Sequence, residues 1–311
     1  MLAGHSIYFW LIFAAIIFSA LVFDLKVLNK DNCEMSLRKS LVSSFIYVSI
    51  GLAFGVWILF CFGQQAFKEY LTGFVIEKSL ALDNMFVIIL IFDFFAIHPK
   101  YHHKALFWGI IGALTARAVM IVIGAKLLAE FHPMSYIFSA ILFITGVKML
   151  IIAEKKINIK DSKIFQFLTK YLKVTKQEHG DSFYIVQQSP ALREILITPL
   201  GMAVILIELM DIIFAVDSIP AIFSITNDPY IVYTSNIFAI LGLRSLYFVL
   251  RNTITRFYYL KYSLAVVLIF IGSKSFIAYG LGLEKFPIDV SLIATFGIIA
   301  SGIIYSYISP K

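Results

Sequence analysis

Apolar segments of about twenty residues recur along the whole chain and constrain its fold more than any other feature. A helix needs roughly 20 apolar residues to cross the hydrocarbon core of a bilayer. The chain is 60% hydrophobic and only 14% charged, and its mean hydropathy is +0.89, which a soluble domain does not require. We therefore expect an all-α polytopic membrane protein with about nine spans, at 6–28, 41–62, 70–95, 105–129, 134–153, 200–225, 232–250, 260–282 and 288–308.

The basic residues predict which side of the membrane each loop faces. Cytoplasmic loops carry an excess of lysine and arginine. With the N-terminus outside, the loops assigned to the cytoplasm carry 17 of the 26 basic residues, and the opposite loops carry three. The distribution predicts an outside N-terminus and a cytoplasmic C-terminus, and it explains the net charge of +7 without nucleic acid. The cytoplasmic loops in this assignment are 26–40, 98–104, 154–199 and 251–261.

The sixth apolar segment carries three carboxylates: Glu208, Asp211 and Asp217. An acid at the bilayer centre costs about 2.5–3.5 kcal/mol even on the lenient insertion scale. Oxygen ligation of a hard cation, or a proton relay, would make that cost useful. Pro220 follows shortly after and predicts a kink or break in the helix. Broken helices at membrane depth are where transporters place their ion sites.

The pattern of buried charge occurs twice. Glu77 precedes Asp83 by the same six residues that separate Asp211 from Asp217, and a small polar residue, Asn84 or Ser218, follows each second acid. Each unit has three spans, so the second unit enters the membrane from the other side, as in the inverted repeats of many transporters. We expect one transmembrane domain over 1–311, with repeats at 71–153 and 205–282 and a cytoplasmic loop at 154–199. The basic residues that continue the pattern are Arg117 with Lys148 in the first unit and Arg244 with Lys274 in the second.

The polar residues of the two units supply only oxygen ligands. Such a set suits Mg²⁺, Ca²⁺ or Mn²⁺ rather than zinc or copper. Positions six apart differ by 120° around a helix, so both acids of one helix reach one cavity only if the helix unwinds between them. In the alternative, the acids form ion pairs with Arg117, Arg244, Lys148 and Lys274 that fix the packing, wholly or in part. The predicted metal ligands are Glu77, Asp83, Asn84, Glu208, Asp211, Asp217 and Ser218.

The remaining polar features favour a transporter over an enzyme. No nucleophile–base pair, phosphate loop or cofactor fingerprint occurs in the sequence, so we expect neither catalysis nor a permanently bound cofactor. Asp24 and Asp93 lie near span ends. We interpret them as interfacial residues that could line the mouth of the transport site. His102 and its neighbours are expected in a solvated loop. Two short apolar runs, at 183–186 and 195–197, predict a small hairpin within the long loop.

From about residue 7 to 285 the chain resembles the TerC family of integral membrane proteins, which includes the Alx-type members. The resemblance rests on long stretches rather than on single residues. The second-half signature of the family is intact from Asp211 to Ala221. The other matching stretches are 77–84, 106–112, 208–221, 228–244 and 259–262.

The resemblance implies a bacterial inner-membrane protein linked to Mn²⁺ efflux, with Mn²⁺ as the transported ion. Carboxylates that release a cation can take up protons, so proton antiport is the expected coupling. Some relatives are tied to the metalation of exported enzymes, which would make an exported metalloenzyme or the Sec machinery a partner. The alternative is therefore a factor for membrane-protein assembly or metalation. A third reading, a tellurite-resistance or pH-stress protein, follows from older names in the family.

Overall fold

The computed structural model describes residues 5–23, 37–131, 133–152, 166, 172–175, 180–188, 193–253, 259–280 and 287–308. The described chain is dominated by helices, as the apolar segments predict. The helices are α1 (Ile7–Phe23), α2 (Leu37–Phe94), α3 (Pro99–Glu130), α4 (Met134–Ile152), α5 (Pro199–Phe223), α6 (Pro229–Ile240), α7 (Leu243–Thr253), α8 (Leu260–Gly280) and α9 (Ile288–Ile308), and the strands are β1 (Tyr184–Gln188) and β2 (Arg193–Ile197).

The described part of each predicted span is largely helical, although the seventh span, 232–250, is divided between α6 and α7. By length and composition, four helices are able to cross a membrane: Leu37–Ala81, Pro99–Leu128, Pro199–Phe223 and Asp289–Ile308. The pair α6 and α7, bent by 41° at their junction, forms a fifth candidate, and shorter apolar helices lie in α1, α4 and α8. The prediction of a polytopic helical membrane protein is thus confirmed.

Gly63 divides α2 into two antiparallel parts, α2N (37–62) and α2C (64–94). Its backbone angles, φ 87° and ψ 179°, are not helical, and glycine tolerates a positive φ that other residues resist. The Tyr70 hydroxyl in α2C donates to the Gly51 carbonyl in α2N over 2.9 Å, and Gly55 also faces the Tyr70 ring. Gly63 alone therefore joins α2N to α2C. Residues 64–69, which lie between the predicted spans 41–62 and 70–95, belong to α2C and not to a loop.

The helices of the two predicted three-helix units pack on one another. In the predicted repeat, α2C corresponds to α5, α3 corresponds to the α6–α7 pair, and α4 corresponds to α8. The structure packs α2C on α6 and α7, α3 on α5, and α4 on α8. If the two predicted units are exchanged, the contact of α2C with α6 and α7 becomes the contact of α5 with α3. The contact of α4 with α8 stays the same. The insertion of the units in opposite directions stays a prediction.

Gly146 and Gly272, which stand two residues before Lys148 and Lys274, hold α4 and α8 together. A methyl carbon added to Gly146 would lie 2.7 Å from the Ala265 carbonyl oxygen, and one added to Gly272 would lie 2.5 Å from the Phe143 nitrogen. Both distances are shorter than any tolerable contact, so the backbones already touch. Small residues permit this close approach of membrane helices.

The predicted hairpin is present in the long loop. Strands β1 and β2 pair antiparallel, with Tyr184 opposite Ile197. The hairpin leads directly into α5, whose N-terminus is capped by the Thr198 hydroxyl at 3.1 Å from the Gly201 nitrogen. Lys104 in α3 donates to the Asp181 carboxylate over 2.8 Å, and this contact lowers the pKa of Asp181. The hairpin is thereby attached to the start of α3.

The predicted break at Pro220 is wrong. Helix α5 continues through Asp211, Asp217 and Pro220 to Phe223, and α2C likewise continues through Glu77 and Asp83. Pro220 lies in the last turn, where it removes one hydrogen bond shortly before the helix ends and divides nothing. A break occurs instead between α6 and α7, at Gly242, whose φ is +79°.

Candidate functional site

Arg117 is the centre of the buried charge that the sequence predicted. Its side chain is 1% exposed. Its Nε and Nη2 atoms donate to the two carboxylate oxygens of Asp211 over 3.3 and 3.1 Å, and its Nη1 atom donates to the Glu77 carboxylate. The planar guanidinium fork suits this two-bond contact with one carboxylate. Glu77 belongs to the first unit and Asp211 to the second, so one arginine joins both.

Two neutral side chains complete the group, which we call the Arg117 cluster: Arg117, Glu77, Asp211, Ser218 and Asn236. Nη1 of Arg117 donates to the Asn236 side-chain oxygen over 2.8 Å and approaches the Ser218 hydroxyl at 3.4 Å. The cluster therefore draws side chains from α2C, α3, α5 and α6. It fixes four helices relative to one another.

The charges of the Arg117 cluster do not balance. With both carboxylates ionised, one guanidinium faces two negative charges. Charges removed from water need partners, because the desolvation cost of each ion is several kcal/mol. In that state, the described members of the cluster carry one excess negative charge. A bound cation or a proton would neutralise it.

A small cavity lies beside the cluster. Its volume is about 30 Å³, which is room for one or two particles of the size of water. Three polar residues are among those that line it: Asn84 from α2C, Asp211 from α5 and Arg244 from α7. Asp211 therefore belongs to both the cluster and the cavity. The other lining residues are apolar or glycine: Met85, Ile88, Leu106, Gly109, Ile110, Ala113, Ile207, Met210, Phe214 and Leu243.

The two arginines of the repeat occupy different surroundings. Arg117 holds the acids of both units, whereas Arg244 lines the cavity and places its Nη1 atom 3.3 Å from the His103 ring. Both side chains are buried. Arg117 thus contacts two carboxylates, and the described contacts of Arg244 include the His103 ring.

Glu208 lies against α3, one turn before Asp211 on the same face of α5. A methyl carbon on Gly112 would lie 1.9 Å from a carboxylate oxygen of Glu208. The missing side chain at Gly112 thus provides the space for the carboxylate. This contact explains why a glycine stands at this point of α3.

The remaining predicted residues are placed as follows. Lys274 is 5% exposed in α8, whereas Lys148 is exposed on α4, so the structure does not bring Lys148 to the cluster. Asp93, near the end of α2C, lies 3.9 Å from Arg251. The side chains of Asp83 and Asp217, and all of Asp24, lie outside the described part of the structure.

No metal centre can be assigned from the described side chains. Among them, no three His, Cys, Asp or Glu residues are grouped closely enough to hold an ion. Asp83 and Asp217 are not in that set. The predicted set of seven ligands therefore stays a prediction.

Two buried polar residues were missed by the sequence analysis. Asn236 is fully buried in α6 and accepts from Arg117; its signal was a lone amide within an apolar run. Lys78 follows Glu77 directly, and its ammonium donates to the carbonyl oxygens of Ala239 and Leu241 over 2.9 and 3.1 Å. The sequence signal for Lys78 was its position directly after Glu77, a predicted site residue.

The expectation that His102 lies in a solvated loop is wrong. Helix α3 begins at Pro99, so the apolar side of its first turns faces the protein. His102 is fully buried and stacks on Phe92 with ring centres 4.2 Å apart. Its Nδ1 atom lies 2.8 Å from the Tyr247 hydroxyl, and Arg251 also contacts the ring. These contacts join the ends of α2C, α3 and α7.

Apolar helices around a buried charge cluster, with a small and mostly apolar cavity beside it, define this chain as a polytopic membrane protein with a polar site among its helices. Comparison with protein families identifies the group. The chain belongs to the integral membrane protein TerC family, whose family model matches residues 62–311. That match covers both predicted repeats.

Relatives of similar length occur in several bacteria. An uncharacterised membrane protein of Rickettsia bellii is 47% identical over 96% of this chain and 97% of its own length. One from Myxococcus xanthus is 40% identical over 97% of this chain and 92% of its own length. An Escherichia coli protein named "Putative membrane-bound redox modulator Alx" is 38% identical over 93% of this chain and 91% of its own length. No solved structure matches.

Proposed function

We propose that this protein exports a divalent metal ion across the bacterial inner membrane, with Mn²⁺ as the ion that the family resemblance implies. The observation that carries the proposal is the position of Asp211. Its carboxylate accepts hydrogen bonds from Arg117, and the same residue lines the cavity. A cation in the cavity would meet a carboxylate whose orientation is already fixed, and it would neutralise the excess charge of the cluster.

The contacts across the two units support a mechanism of alternating access. Arg117 binds acids from both units, so a movement of one unit against the other changes the contacts that hold Asp211. Asp211 and Asn84 would contact the ion from the described residues, and Asp83 and Asp217 would complete the site. When the ion leaves, protons would replace its charge on the carboxylates, which couples export to proton entry. The loop 154–199 would lie in the cytoplasm.

The test is uptake of Mn²⁺ into inside-out vesicles with an imposed proton gradient. We expect gradient-dependent accumulation for the wild type and a loss of at least about tenfold for Asp211→Asn, since the neutral amide gives up the charge that attracts the ion. The fold should persist, because Arg117 retains its contact with Glu77. Asp217→Asn should behave in the same way.

Asp181→Asn is the matched control, because Asp181 is an exposed carboxylate of the hairpin. It should transport at the wild-type rate. Unchanged transport in Asp211→Asn would remove Asp211 from the site. The absence of accumulation in well-folded wild-type protein would remove the transport proposal itself.

One observation favours the alternative of an assembly or metalation factor. Tyr184, Val186 and Ile195 lie on one face of the hairpin, and each is more than half exposed. Such an apolar face is typical of a docking surface. Under this reading, replacing the three residues by serine abolishes function, whereas Asp211→Asn is mild. Under the transport proposal the order of sensitivity is reversed.

A further inference from the structure

The break between α6 and α7 leaves carbonyl groups without helical partners. Leu241 and Gly242 leave the helical conformation, with φ/ψ of −54°/133° at Leu241 and φ +79° at Gly242. The last carbonyls of a helix have no partner within the helix, and together they carry a partial negative charge. Ala239 and Leu241 are buried, at 0% and 2% exposure. Their carbonyl oxygens need a donor or a cation from elsewhere in the protein.

Lys78 of α2C supplies a cation at this point. Its Nζ atom lies 2.9 Å from the Ala239 oxygen and 3.1 Å from the Leu241 oxygen. Carbonyls at the end of a broken membrane helix are groups that coordinate free cations in transporters. The ammonium thus stands where a free ion would be coordinated. It belongs to the residue next to Glu77, and so links the break to the Arg117 cluster.

We propose that the carbonyl oxygens of Ala239 and Leu241 form a cation-binding site, which Lys78 occupies as a tethered cation. The site suits a small monovalent cation such as Na⁺, K⁺ or methylammonium, but not the bulky quaternary ammonium of choline, because its two described ligands are neutral carbonyls. Divalent ions usually require carboxylates in addition. This site is distinct from the cavity at Asp211, and it exists whether or not the protein transports a metal.

The proposal differs in its consequences from a simple hydrogen-bonded cap. A cap requires a donor, which any amide could supply. A cation site requires a positive charge, and it should accept a free ion when the lysine is replaced by an apolar side chain. Lys78→Met removes both charge and donor, whereas Lys78→Gln removes the charge and keeps a donor. The two variants therefore separate the explanations.

The experiment measures thermal unfolding of the purified full-length protein in detergent, in NaCl, KCl or choline chloride at equal ionic strength. We expect the Tm of the wild type to be the same in the three salts. We expect Lys78→Met to have a lower Tm in choline, and the Tm to rise in a saturable way with Na⁺ or K⁺. Lys126→Met, at an exposed position on α3, is the control and should show no preference among the salts.

The same Tm for Lys78→Met in all three salts would overturn the proposal, as would full recovery of the Tm by Lys78→Gln in choline. If Lys78→Met does not yield folded protein, Lys78→Ala is purified with methylammonium or with choline. Rescue by methylammonium alone supports the site, and failure of both overturns it. None of these measurements requires transport, so the result is independent of the outcome for Mn²⁺.

Discussion

At the scale of the residue, the stability of the candidate site depends strongly on one side chain, that of Arg117. It is the described partner of the buried Glu77 carboxylate and of the largely buried Asp211 carboxylate, and its removal would take this positive charge from both. Removing one member of a buried ion pair typically costs 3–5 kcal/mol, because the remaining charge stays desolvated. The size of the effect therefore depends on the acids that are left behind.

We expect Arg117→Met to destabilise the protein by about 3–5 kcal/mol and the double variant Arg117→Met with Glu77→Gln to recover part of that loss. The second change removes a carboxylate that has lost its partner. Thermal unfolding in detergent measures both variants. A double variant that is less stable than Arg117→Met would show that Glu77 has another positive partner.

The residues of the cluster were predictable to the extent that their pattern is repeated. Glu77, Asp211, Ser218 and Arg117 stand out because charge and spacing recur in the two halves. Asn236 has no counterpart in that pattern. Only the packing of α6, which places the Asn236 amide next to Arg117, identifies it as a member of the cluster. Contacts between residues distant in sequence depend on packing, which spacing along one helix does not contain.

At the scale of the element, glycines decide where helices touch and where they break. Gly272 is the point at which the α4 and α8 backbones meet. Gly242 makes a positive φ possible in the seventh predicted span. The proline at 220, the stronger sequence signal, ends a helix and does not divide one. The break was therefore predicted in the wrong helix, because a glycine in an apolar run has several structural meanings.

We expect Gly272→Ala to separate α4 and α8 and to lower the Tm strongly. The added methyl would lie 2.5 Å from the Phe143 nitrogen and 2.6 Å from the Ser139 oxygen, and backbone atoms of a packed helix have little freedom to move. Gly297→Ala in α9 is the control, because nothing lies within 4 Å of the added carbon. That variant should keep or raise the Tm, since alanine favours a helix by about 1 kcal/mol. Equal behaviour of the two variants would contradict the packing role of Gly272.

At the scale of the whole molecule, α3 is long enough to connect the two sides of a membrane. Its 32 residues span roughly 48 Å at 1.5 Å per residue, which exceeds the hydrocarbon thickness of about 30 Å. The hairpin is attached at the start of α3, and Glu130 stands at its end. The two ends must therefore face opposite sides, and the basic residues predict which side is which.

The orientation can be tested with single cysteines after Cys33 and Cys61 are replaced by serine. We expect an impermeant thiol reagent to label Glu130→Cys in spheroplasts and to label Ser182→Cys only after the membrane is opened. Both positions are exposed, so differences in burial do not explain a difference in labelling. The reverse pattern would invert the predicted topology and the proposed direction of export.

The helical architecture was predictable at this scale because the bilayer imposes one length on every span. Connections between spans were less predictable, since a single residue at Gly63 replaces the expected loop. A turn this short also constrains biosynthesis. Once both parts are helical, the one connecting residue holds the end of α2N beside the start of α2C, so the two helices cannot move apart. We expect the translocon to accept α2N and α2C together, as one preformed hairpin.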